Sequence, residues 1–114
     1  MDSRIMYIEC KGAEAEVKAR IGRVTETKFS RHINYRGKSY QPHTDRGNKA
    51  NYYEIGSGHW YWITTCSKSG LDSLEAQHVE IDDDVQQEYW ETIRKSKDSI
   101  GTKSFQSPGK HYKA

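Results

Sequence analysis

The sequence predicts an α+β domain that is mainly β: an antiparallel sheet or small open barrel of five to six strands, with one C-terminal helix packed on it. Three observations carry that expectation. Short runs of β-formers recur from Ile5 to Ile81, a glycine turn joins two aromatic runs around Gly56, and the one stretch with helical spacing comes after them. Strands do not alternate with long helical segments, and no internal repeat is present, so a parallel α/β sheet is excluded.

The first strand is expected near residues 4–10, where Ile5-Met6-Tyr7-Ile8 is followed by the breaking stretch Gly12-Ala13-Glu14-Ala15. Val17, Ala19 and Ile21 then alternate with Lys18 and Arg20, the period of a half-buried strand. The apolar parity shifts between Ile21 and Val24, which predicts a bulge or bend near Gly22-Arg23. Ile33 and Tyr35 start a third strand, which Tyr40 continues beyond Gly37 until Pro42 removes a donor. Gln41 to Lys49 contains nothing apolar before Ala50 and reads as an exposed loop. Tyr52 to Ile63 reads as a hairpin around Gly56-Ser57-Gly58, its register left open by the unknown loop length. Residues 66–77 form a polar connection, and Val79-Glu80-Ile81 a brief strand. Asp82-Asp83-Asp84 suits a helix start, with carboxylates capping backbone N–H groups. Val85, Tyr89 and Ile93, with Trp90 beside them, give that helix one apolar stripe.

At 114 residues there is room for one core, placed at residues 1–97, with 98–114 expected as a flexible basic tail. Apolar residues make up only 33%, but three Trp and eight Tyr supply large buried areas and argue for a folded body. No apolar run is long enough to cross a bilayer and Met1-Asp2-Ser3-Arg4 is not an export signal, so the chain reads as cytoplasmic with no membrane partner. Cys10 and Cys66 lack any disulfide or zinc spacing and read as reduced thiols.

Several stretches together carry a resemblance: Arg4-Ile5-Met6-Tyr7-Ile8-Glu9, Ala19-Arg20-Ile21-Gly22-Arg23-Val24, Tyr35-Arg36-Gly37-Lys38-Ser39-Tyr40-Gln41, Lys49-Ala50-Asn51-Tyr52-Tyr53, Tyr61-Trp62-Ile63 and Glu88-Tyr89-Trp90. Over roughly residues 4–95 the chain resembles a group of small uncharacterised bacterial proteins, some of which are labelled 1-deoxy-D-xylulose-5-phosphate synthase. That label implies a thiamine diphosphate enzyme, a large multidomain dimer with a Gly-Asp-Gly metal motif. This chain has no Gly-Asp-Gly triplet and room for one small core, so no cofactor and no catalytic residue is carried over.

Other motifs dissolve on inspection. Gly37-Lys38-Ser39 lacks the glycine five positions earlier that a phosphate loop needs, since His32 stands there, and Tyr40-Gln41-Pro42 starts no helix. His32, His43, His59, His78 and His111 share no ligand spacing, and no nucleophile elbow or triad signature is visible. Three consecutive aspartates lack the alternating oxygens of a calcium loop.

Charge segregation is the informative feature. Residues 17–50 carry nine Lys/Arg against two acids, and residues 72–93 carry eight acids and no Lys or Arg. Cations neutralise phosphates while tyrosine rings stack on unpaired bases. The sequence therefore points to a non-enzymatic module contacting RNA or DNA, with Arg20, Arg23, Arg36, Lys38 and Lys49 on phosphates and Tyr35, Tyr40 and Tyr52 as stacking surfaces. The alternative is a protein-interaction domain using the acidic helix or the aromatic hairpin. Against both stands simple pairing of the basic face with the acidic helix.

Overall fold

Every residue from Ile5 to Cys10 is buried, so the first strand is covered on both faces, and that requirement organises the molecule. The computed structural model describes residues 2–11, 19–28, 31–45, 50–73 and 77–108. The strands are β1 (Asp2–Cys10), β2 (Ala19–Glu26), β3 (Ile33–Tyr35), β4 (Lys38–Asp45), β5 (Ala50–Glu54), β6 (Trp60–Thr65), β7 (Gln77–Ile81) and β8 (Ser104–Ser107). Strands β1 to β6 pair antiparallel in chain order and β6 returns to β1, closing a six-stranded barrel. β7 joins β2 in parallel, and β8 pairs antiparallel with β7. A helical segment lies between them: a 3₁₀ turn (Asp83–Val85), an α turn (Gln86–Glu88) and a π turn (Tyr89–Ile93). The α+β, mainly β class is thus the one observed, with the barrel closed and two strands added.

Alternation along the strands sorts the core into two layers. Met6, Ile8, Val24, Ile33, Tyr35, Tyr40 and Ile63 fill the barrel. Ile5, Tyr7, Ala19 and Ile21 point outward and pack under Val79, Ile81, Val85, Tyr89 and Trp90. Each such side chain contributes roughly 1.5–3 kcal/mol on full burial, so packing of the helical stripe is the main term that holds the short segment in place.

This double burial corrects the bulge expected at Gly22-Arg23. β2 pairs with β1 without interruption from Glu26↔Asp2 to Ala19↔Glu9. Ile21 faces the helical layer and Val24 the barrel interior, so the parity change records two cores on one strand. The loop expected at 41–49 is likewise part strand. Gln41 and Pro42 pair with Tyr53 and Tyr52, and the register slips between Pro42 and Asp45, where proline's missing donor is tolerated. Residues 46–49 lie outside the described residues.

The segment expected to begin a flexible tail at residue 98 is built into the fold through Ser107. Phe105 stacks on Tyr89 with ring centres 6.0 Å apart, and Trp90 Nε1 donates to the Thr102 carbonyl at 2.8 Å. One aromatic suffices there because β7 offers a free edge for β8 to pair with. Residues 109–114 lie outside the described residues. Arg94 lies with its Cζ 4.9 Å from the Trp90 ring centre and 5.1 Å from that of Phe105.

The outer edge of β2 is shared, and this creates a seam. Its C-terminal half meets β3 through Thr25↔Asn34 and Glu26↔Ile33, and its N-terminal half meets β7 from Ala19↔Val79 to Ile21↔Ile81. Across the gap the Tyr35 hydroxyl donates to Asp82 Oδ2 at 2.5 Å. Asp82 therefore serves the seam, and it makes no side-chain cap to the helical segment. Gly22 lies directly beneath: a Cβ there would collide with the Tyr35 ring and come within 2.7 Å of Asp82 Oδ2.

Candidate functional site

Six strands around a filled interior leave two ends, and the end reached by Cys10, Arg20 and the β3–β4 turn is hollow. The turn is Arg36-Gly37, with φ of 51° and 79°, the left-handed pair that matches the twist of a two-residue hairpin. It carries Arg36 to the tip and sets Lys38 and Tyr40 on the returning strand. Arg20 projects from β2 into the same space, and Cys10, Tyr35 and Tyr61 complete a cavity of about 120 Å³ floored by Ile8.

Five of the eight residues singled out in sequence meet here: Arg20, Tyr35, Arg36, Lys38 and Tyr40. Two of the cations have carboxylates behind them. Arg20 Nη1 lies 3.7 Å from Asp82 and 3.9 Å from Glu80, and Lys38 Nζ lies 3.6 Å from the buried Glu54. Lys38 remains 58% exposed, so its ammonium stays hydrated and available. Arg36 forms no ion pair among the described residues; its guanidinium sits 5.9 Å from the Tyr35 ring centre. On its other side it overlooks a groove of about 440 Å³ lined also by Arg23, Asp82, Asp83 and Asp84.

The tyrosines act differently from the sequence expectation. Tyr35 is 6% exposed and Tyr40 3%, so their rings form wall and core in place of open stacking faces. Burial, followed by the bond to Asp82, pushes the Tyr35 hydroxyl well above its ordinary range. Burial and the neighbouring Glu54 push Tyr40 up to about 12, and burial with Tyr40 beside it raises Tyr61. All three stay protonated at neutral pH, and Tyr61 donates to Glu54 Oε1 at 3.3 Å.

Comparison of the chain with family models, with curated proteins and with solved structures gives no match.

The remaining expected residues lie elsewhere. Arg23 Nη2 is 2.7 Å from Glu88 Oε1 on the helical segment, so this part of the basic stretch is paired within the molecule. Tyr52 is half-buried against the barrel core, where burial raises its hydroxyl pKa, and Lys49 lies outside the described residues. No cluster of three or more metal-ligating side chains occurs among the described residues, and no helix there is long and apolar enough to cross a membrane.

Sequence reasoning missed Tyr61 and Cys10, because their contribution depends on which face of β1 and β6 turns inward. It also missed a cluster on the outer face of β4, β5 and β6. Tyr53 pairs with Trp60 and Tyr52 with Tyr61, which turns Tyr53 and Trp60 outward. His43 stacks on Trp60 at 5.1 Å and meets Tyr53 edge-on at 5.9 Å. The hairpin itself was legible; the register that sorts its rings was not.

Proposed function

We propose that this barrel is a non-enzymatic module that binds single-stranded nucleic acid at its mouth, with Arg20, Arg36 and Lys38 holding phosphate. The observation that carries the reading is the convergence of these three cations on one cavity whose other polar groups are the Tyr35, Tyr40 and Tyr61 hydroxyls and the Cys10 thiol. Arg36 in the hairpin turn and Lys38 at the first position of the returning strand present two neighbouring cations at the tip, which suits a chain that must be grasped from solution. Bases would lie outside the cavity, and the His43, Tyr53 and Trp60 rings on the barrel's outer face offer stacking surface. A cytoplasmic location, as expected from the sequence, fits this partner.

Fluorescence anisotropy with labelled single-stranded oligonucleotides over a range of salt concentrations tests it. Three phosphate contacts give a log–log salt slope of about −2. Arg36→Asn, chosen because asparagine tolerates a positive φ, weakens binding and flattens that slope by about 0.7. Absence of binding at low salt removes this reading.

A second reading, a protein-interaction domain, is favoured by one observation: His43, Tyr53 and Trp60 cluster on the barrel's outer wall, and His43 is exposed. Under it, Trp60→Ala abolishes capture of a protein partner while Arg36→Asn leaves it intact.

A further inference from the structure

We infer that the mouth cavity takes a terminal phosphate monoester, the phosphorylated end of an oligonucleotide or a nucleotide, in preference to an internal phosphodiester. This inference rests on the nucleic-acid reading and names which part of the ligand enters.

The shape of the cavity is the first reason. It is closed below: Ile8 and Tyr40 are buried, and Met6, Val24, Ile33 and Ile63 fill the barrel beneath them. An internal phosphodiester leaves in two directions through two sugar oxygens. A blind space of about 120 Å³, far below the hundreds of Å³ of a pocket for a whole small molecule, offers one way out. A monoester is tethered through a single oxygen and enters end-on.

The second reason is charge and hydrogen bonding. A monoester carries about −1.5 to −2 at neutral pH and three acceptor oxygens, where a diester carries one charge and two. Three cations from two directions answer those oxygens: Arg20 from β2, and Arg36 with Lys38 from the β3–β4 hairpin. Asp82, Glu80 and Glu54 stand behind the cations and hold Arg20 and Lys38 in position. Arg36, which has no carboxylate within ion-pair distance among the described residues, gains most from an incoming dianion.

The test compares one single-stranded oligonucleotide carrying a 5′-phosphate, a 3′-phosphate or hydroxyls at both ends, by anisotropy, with calorimetry of a nucleoside monophosphate and of inorganic phosphate. One phosphorylated end binds about tenfold tighter than the hydroxyl form, a difference that corresponds to one charge-assisted interaction. Lys38→Ala and Arg36→Asn each erase that ratio while thermal melts confirm folding. The ratio also collapses below about pH 6, where the monoester loses its second charge. If inorganic phosphate competes as well as the nucleoside monophosphate, the source is free phosphate and the terminal-end inference is overturned. Equal binding of all three oligonucleotides overturns it too and leaves the nucleic-acid reading standing. Binding of the monophosphate with no oligonucleotide binding keeps the monoester pocket and removes the nucleic-acid reading, and absence of all binding removes both.

Discussion

Gly22→Ala tests the seam, where Tyr35, which lines both the mouth and the neighbouring groove, bonds Asp82. The added methyl meets the Tyr35 ring and Asp82 Oδ2, and both belong to buried or half-buried groups that cannot swing away. Overpacking of this kind costs about 1–3 kcal/mol. Displacing Tyr35 also breaks its 2.5 Å bond to Asp82, worth about 1.5–3 kcal/mol as a bond to a charged group. Against these, alanine restrains the unfolded chain and recovers about 0.4–1 kcal/mol, with no backbone strain because Gly22 is not among the positive-φ glycines. The losses win by about 1.5–5.5 kcal/mol, a drop in Tm of about 5 °C or more. Urea unfolding followed by tryptophan fluorescence measures it. Tyr35→Leu in the Gly22→Ala background shows coupling, because the collision disappears with the ring. A Gly22→Ala protein as stable as the parent, or additive effects in the double variant, refutes the account of the seam.

Three further outcomes follow from the two cores and the buried hydroxyls. Tyr7→Phe removes the 2.6 Å donor to Glu9, a carboxylate only 1% exposed that Lys11 Nζ also contacts at 3.2 Å, and costs about 1.5–3 kcal/mol in a denaturant melt. Phe105→Ala costs about 2–3 kcal/mol, less than full burial would give since the ring is half-buried, and a chain ended at residue 97 is destabilised by more; melts unchanged in either would return residues 98–107 to a tail. Stability falls as pH rises above about 9, since burial raises the Cys66 thiol and the unfolded chain ionises there first, and it falls more steeply above about 10. Burial raises Tyr7, Tyr35 and Tyr61, and takes Tyr40 and Tyr89 up to about 12, so the unfolded chain releases these protons first; chemical denaturation between neutral pH and pH 12 reads the slope.

Composition and local pattern alone determined that the chain folds as one mainly β unit closed by a helical stripe. Val85, Tyr89, Trp90 and Ile93 announce a face to be buried, and Ile5 to Ile8 announce a strand, because periodicity is a property of neighbours in the chain. The same local logic located the cations, since charge segregation needs no fold to be seen. What it missed are facts about which faces meet. Ile21 and Val24 looked out of step because nothing local says that β2 has a core on each side. Residues 98–107 read as tail because the partners of Phe105, Tyr89 and Trp90, lie on another element. Tyr35 and Tyr40 looked like stacking surfaces because exposure is settled by closure of the barrel, which depends on β6 finding β1. That pairing brings residues from both ends of the barrel chain together, and its energy comes from contacts that no short window of sequence contains.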